Sequence, residues 1–377
     1  RGRKMTIEKL RVMVENGSLP AVNRTHYINN HIHTTHSFSP YTPAGAVYTA
    51  WVNGLATAGI MDHDTTSGAR EFLEAGKLLD LPVTVGVECR VDMSRTPFVG
   101  RRINNPDQDS CAYVAMHCIP HQYIVAVDNW FAPYREARNR RNRKMCENIN
   151  KIVPDYLAID FDRDVLPLAV STVTERHILF ALTKKITAVY KTPEEALHCL
   201  KNVLEIDVPA RVERNILGGH DTPQYYEYDI LGALKGNFVE KFYVNATDEM
   251  PDVSEFIEMV HRYDGLAAYA YLGDVGDSVT GDKKTQKFED DYLDDLMRVL
   301  KELGFDAVTY MPTRNTEAQL DRVMALCEEY GFMQISGEDI NSPRQSFICK
   351  AYDKPKFKHL IDAAFALIER ESRLSTE

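Results

Sequence analysis

A chain of 377 residues, 44% hydrophobic and 26% charged, has the length and mix of a globular protein with a sizeable core, read as one large domain or two ordinary ones. Its formal charge of −11 argues against nucleic acid and anionic membrane as partners, since both are drawn to basic fields. No apolar run reaches the roughly eighteen residues a membrane span requires, and the basic start Arg1-Gly2-Arg3-Lys4-Met5 has no apolar run behind it, so neither a span nor a secretory leader is expected.

In chain order, residues 1–26 read as an N-terminal helical extension. Tyr27–His33 reads as a strand. Thr42-Pro43, a cap followed by an N1 proline, opens a helix over Pro43–Ala58. Leu55–Met61 then begins a second strand ending at Asp62-His63-Asp64. A helix over Ser67–Leu79, a strand over Pro82–Val91 and a short strand over Ala112–His117 follow. From about Ile119 the pattern turns helical, with stretches over Tyr134–Ile152, Thr174–Lys185, Thr192–Leu204 and Val253–Arg262. The alternation then resumes as strand Gly265–Tyr271, helix Phe288–Leu303, strand Phe305–Met311, helix Thr316–Tyr330 and strand Phe332–Ser336, and an amphipathic helix over Lys356–Arg373 closes it. Seven strands in βα alternation predict an α/β fold, a barrel of parallel strands interrupted by a helical insert, with reactive residues at the strands' C-terminal ends. The expected segments are 27–118 and 255–352 for the two parts of the barrel, 119–254 for an inserted helical cap, and 353–377 for the closing helix. Seven cysteines without a Cys-x-x-Cys pair read as free thiols of a reducing compartment, the cytoplasm.

The chemistry gathers at those strand ends. The first ends in His31-Ile32-His33, with His36 just beyond; alternation puts both strand imidazoles on one side. The second ends in Asp62-His63-Asp64, the third in Glu88, the fourth in His117 and the last in Glu338-Asp339-Ile340-Asn341. Alone, each is as easily a histidine or carboxylate held in a polar loop. Five strand ends delivering nitrogen and oxygen donors to equivalent positions predict a divalent metal site of zinc, manganese or iron character. Glu88 is placed to bridge two ions, and paired ions suit phosphoester hydrolysis.

The runs His31-Ile32-His33-Thr34-Thr35-His36-Ser37, Gly59-Ile60-Met61-Asp62-His63-Asp64-Thr65-Thr66-Ser67-Gly68 and Val85-Gly86-Val87-Glu88 resemble the PHP (polymerase and histidinol phosphatase) superfamily, as does the segment Thr174-Glu175-Arg176-His177-Ile178. The resemblance is strong over residues 27–91 and returns over about 255–342. It implies a distorted seven-stranded, TIM-like (β/α)7 barrel binding up to three metals, with phosphoesterase activity. It also implies His31, His33, Glu88 and Asp339 at a first ion, Glu88 and His117 at a second, His63 at a third, and Asp62 and Asp64 as supporting or catalytic carboxylates. Three positions depart from the family pattern. Phe38-Ser39 stands in place of an Asp-Gly, Tyr271 in place of a histidine, and Asn341 in place of the final histidine. Tyr271, Asn341 and His36 are therefore candidate substitute ligands, together with His121 or His177, and one or two ions are expected rather than three.

Outside the donors, His177 is a candidate catalytic residue, weighed against a histidine that simply bonds the backbone at a helix end. Arg140, Arg143 and Arg176 are candidate forks for a substrate phosphate, weighed against solvated helix charges. The expected activity is hydrolysis of a small phosphorylated metabolite or nucleotide by metal-activated water, with inorganic phosphate as product. The alternatives are a PHP-fold protein that binds such ligands without turnover, or amide hydrolysis on the same donors.

Overall fold

The structure is a computed structural model that describes residues 2–276 and 285–376. Among the described residues seven strands form one sheet in sequence order: β1 Ile28–Ile32, β2 Thr57–His63, β3 Val83–Asp92, β4 Cys111–His117, β5 Leu266–Ala270, β6 Ala307–Thr309 and β7 Met333–Ile335. The sheet curls as a half-barrel and helices cover it. Its two edges approach each other through a single parallel bridge, Ile32 with Ile340, beyond the end of β7. That approach requires a glycine. A Cβ on Gly337 would lie 2.8 Å from the His31 nitrogen and 2.9 Å from Asn29 Oδ1.

The strands are not all parallel. β4 runs antiparallel to both β3 and β5, whereas the other neighbouring pairs are parallel. The reason lies in the connection. A parallel neighbour needs a crossover, usually helical, and residues 93–110 between β3 and β4 contain no helix.

Helix ends follow local chemistry. α1 spans Ile7–Glu15, and α2 spans Pro43–Val52, with Thr42 Oγ1 accepting from the Gly45 amide at 2.9 Å. α3 is Ala69–Leu79. α4 runs Ile124–Asn150, starting ten residues earlier than expected because the helix passes through Pro133. Then come α5 Glu175–Val189, α6 Pro193–His198, α7 Ala210–Leu217, α8 Pro223–Asn237 and α9 Val253–Arg262. α10 Leu293–Leu303, α11 Glu317–Tyr330 and α12 Lys358–Leu374 complete the set.

There are two large apolar cores. One surrounds the sheet and takes in Ile124, Val127 and Phe131 from the first half of α4. The other gathers Met145, Cys146 and Ile149 from its second half with side chains from α5 to α8. The change of core therefore falls inside α4, which serves both. Phe38, from the loop after β1, plugs into the second core, which accounts for an aromatic at that position. No helix among the described residues is long and apolar enough to cross a membrane. The seven cysteines are free and buried.

Candidate metal centre

The strand ends converge as expected from their positions. Glu88 Oε2, at the C-terminal half of β3, lies 3.2 Å from His31 Nε2, 3.5 Å from His33 Nε2 and 3.6 Å from His63 Nδ1. Asp339 Oδ1, beyond β7, lies 3.0 Å from His33 Nε2. The His33 and His63 rings stack with centroids 4.7 Å apart. Two sets of donors lie close enough to hold one ion each: His31, His33 and Asp339, and His33, His63 and Glu88. His117 is buried beside them, and among the described residues its Nε2 has no hydrogen-bond partner.

The loop after β1 fixes how His33 presents itself. Asp62 Oδ1 accepts from the Thr34 amide at 2.6 Å and from Ser37 Oγ at 2.7 Å, while its Oδ2 accepts from Thr34 Oγ1 at 2.6 Å. Because Ser37 gives its proton to Asp62, it can only accept from His33 Nδ1, 3.4 Å away. His33 Nδ1 therefore carries a hydrogen, which leaves Nε2 as the atom turned to the donor cluster. His33 is 1% exposed, and its Nε2 faces a carboxylate oxygen. An imidazole nitrogen and a carboxylate oxygen 3.0 Å apart, with further donors within reach, fit a divalent ion.

The electrostatics agree. Burial opposes charge on His31, but Glu88 and Asp339 outweigh it and push the ring up to about 9. Burial opposes charge on Glu88 as well, yet the surrounding imidazoles bring it down to about 2. Burial holds His63 down to about 4 and His117 down to about 3, so both are neutral donors.

The remaining candidates divide. Asp62 serves the loop and lines no part of the cavity. Asp64, at φ 54° just past β2, gives its carboxylate to Arg138 at 2.7 Å. Each is thus engaged by neighbouring groups of the chain. His177 caps α5: its Nδ1 accepts from the Thr174 amide at 2.9 Å, and its ring edge meets Phe38. Burial, with Arg138 nearby, pushes it down to about 3, and the ring is held at its own helix end. Arg140 and Arg143 point outward and pair with Asp248 and Asp162. His36 pairs with Ser67 Oγ at 2.7 Å and His121 with Glu371 at 2.9 Å, both outside the donor sets. The Tyr271 hydroxyl donates to Asp290 at 2.7 Å, and burial together with that carboxylate raises it far above a phenol's usual range, so no phenolate is on offer. Asn341 Nδ2 donates to Asp339 Oδ1 at 3.1 Å and its Oδ1 accepts from Arg176 at 3.3 Å, which makes it a support for both.

A cavity of about 350 Å³ opens over the donors, with His31, His63, Glu88 and Asp339 in its floor. Arg176 faces it, as do Arg314 and Lys235, which sequence reasoning missed because they lie in stretches without motif character. Among the described residues Arg314 donates to the Leu272 and Gly273 carbonyls. Phe38, Phe288 and Met311 supply apolar wall.

No family model matches the chain, and no curated protein matches it either. Solved structures share its fold. A protein of Bifidobacterium adolescentis assigned as a metal-dependent phosphoesterase superposes with a TM-score of 0.59 at 20% identity, covering 95% of this chain and 98% of the other. An amidohydrolase of Chromobacterium violaceum, solved with bound sulfate and no metal, gives 0.56 at 15% identity over 86% and 90%. The chain is thus built on a fold shared with these proteins along nearly its whole length.

Proposed function

We propose that the chain is a metal-dependent hydrolase of phosphoesters, a PHP-superfamily protein on a TIM-like barrel whose inserted helices, around residues 119–254, cap the donor end. The observation that carries this is the buried His33 Nε2 set against Asp339 and Glu88, within two donor sets each close enough to hold one divalent ion. The likeness to a protein assigned as a phosphoesterase, and the sulfate held by the second neighbour, support a tetrahedral oxyanion as ligand. Zinc, manganese or iron suits the mixed imidazole and carboxylate donors. Free buried thiols suit the cytoplasm.

His31, His33 and Asp339 would hold the ion, or His33, His63 and Glu88 in the neighbouring position, with His117 beside them. When bound, the ion supplies Lewis acidity, polarising a phosphoryl oxygen and making water acidic enough to attack near neutral pH. The chain does the rest. Asp62 and Ser37 fix the His33 ring in the tautomer that lends Nε2. Arg176, steadied by Asn341, forks onto the charge of the phosphoryl group, and Phe38, Phe288 and Met311 keep bulk water from the cavity. A volume of about 350 Å³ suits a small metabolite or nucleotide rather than a polymer.

The test is phosphate release from a panel of small phosphomonoesters and phosphodiesters with added manganese or zinc, run beside amide substrates. Metal-dependent release that His33→Ala abolishes is expected. Equal turnover by the variant, or cleavage confined to amides, overturns the proposal.

A further inference from the structure

We infer that the centre holds one divalent ion at a time, and that Arg176 supplies the fixed positive charge beside it. This rests on the metal-dependent reading above. Both donor sets include His33, and His33 offers a single atom to them, because its Nδ1 faces Ser37 Oγ. One imidazole lone pair binds one ion, so the two sets describe alternative positions rather than two occupied sites.

Several other candidate donors near the site are otherwise engaged. Asp62 holds Thr34 and Ser37, Asp64 holds Arg138, Tyr271 holds Asp290, and Asn341 joins Asp339 to Arg176. His117 Nε2 is unpartnered but belongs to neither close set.

At Asn341 the chain places an amide whose oxygen accepts from a guanidinium. Arg176 is thereby held against the donor cluster, and among the described residues no carboxylate lies within ion-pair distance of it. A phosphoryl group carries more negative charge than one partly neutralised ion offsets, and a guanidinium provides the remainder without needing donors of its own.

The experiment uses the full chain stripped with chelator, titrated with Mn(II) or Zn(II) by calorimetry, with elemental analysis of the reloaded protein. One ion per chain is expected, with an uncoupled Mn(II) paramagnetic resonance spectrum and no binding by His33→Ala. Two or more ions per chain, or an exchange-coupled spectrum, overturns the one-ion inference while leaving the hydrolase reading standing. No ion under any condition overturns both. For the second half, inorganic phosphate is titrated into the ion-loaded protein. Arg176→Gln is expected to keep the ion and to weaken phosphate about tenfold or more, the worth of a charged hydrogen bond, with partial recovery in Arg176→Lys. Unchanged phosphate affinity in Arg176→Gln overturns that half.

Discussion

Two buried clusters of acids and bases lie side by side at the ends of β2 and β3, and they behave differently. In one, Arg90, Arg138 and Arg141 face Asp64, Glu175 and Glu249, three cations to three anions. Each charge has an opposite charge against it, and the cluster ties α4 and α5 to the sheet. In the other, two carboxylates are shared among several imidazoles, His33 Nε2 confronts an acceptor, and His117 Nε2 meets nothing. The two share residues' neighbours: His63 turns to the second cluster and Asp64 to the first. Charge content alone does not separate a fastening from a site. What separates them is whether each buried charge faces an opposite charge, since among the described residues Arg138 Nε, Arg141 Nε and Glu249 Oε1 in the first cluster also lack a hydrogen-bond partner.

The largest effect should come from unbalancing the first cluster. Glu249 faces all three arginines, so Glu249→Gln should cost about 3–5 kcal/mol in denaturant unfolding, the usual result of leaving a buried charge unpaired. Ion binding by the folded variant should be unchanged. The contrasting substitution, His33→Gln, should cost the metal-free protein less than about 1.5 kcal/mol, since it nearly conserves volume and removes a lone pair from a carboxylate. Equal costs for the two would erase the distinction between the clusters.

Next in size is the response to metal. If the second cluster awaits a cation, a divalent ion at about a hundred times its dissociation constant should add about 2.7 kcal/mol to the folded state. A thermal melt should rise with Mn(II) or Zn(II), fall back with chelator, and stay flat for His33→Ala. A Glu249→Gln protein that melts low but still rises with the ion would sharpen the comparison.

Much of this was legible in the sequence, for a physical reason. His31, His33, His63, Glu88 and Asp339 announce themselves because alternation along a strand and the shared direction of strand ends are properties of the backbone. What failed to show was partnering. Asp62 and Asp64 look equivalent on either side of His63, yet one bonds a loop and the other an arginine 74 residues away. Arg140, Arg143 and Arg138 share one helix, but only Arg138 turns inward, because the buried stripe of α4 is set by what packs against it. The reversed β4 was in principle visible, as the missing helix between Val91 and Ala112. The start of α4 was not, since Pro133 lies where a break is ordinarily expected.

The smallest effect concerns His177, which lies near Arg138 and Glu175 on one side and His63 on the other. Held at about 3 by burial and by Arg138, it stays neutral in the folded chain while the unfolded chain protonates near 6.5. Between those values the unfolded state binds the extra proton, so this ring makes stability fall as pH drops below about 6.5 and imposes no slope above it. His63 and His117 act in the same direction. His177→Gln should therefore lessen, not abolish, the acid sensitivity of the metal-free melt, and should cost about 1 kcal/mol at pH 8 from the weakened cap of α5. Ion count and phosphate release should persist in the variant. A residue that acted in the reaction would show the reverse, lost turnover with an unaltered acid profile, and that outcome would return His177 to the second cluster.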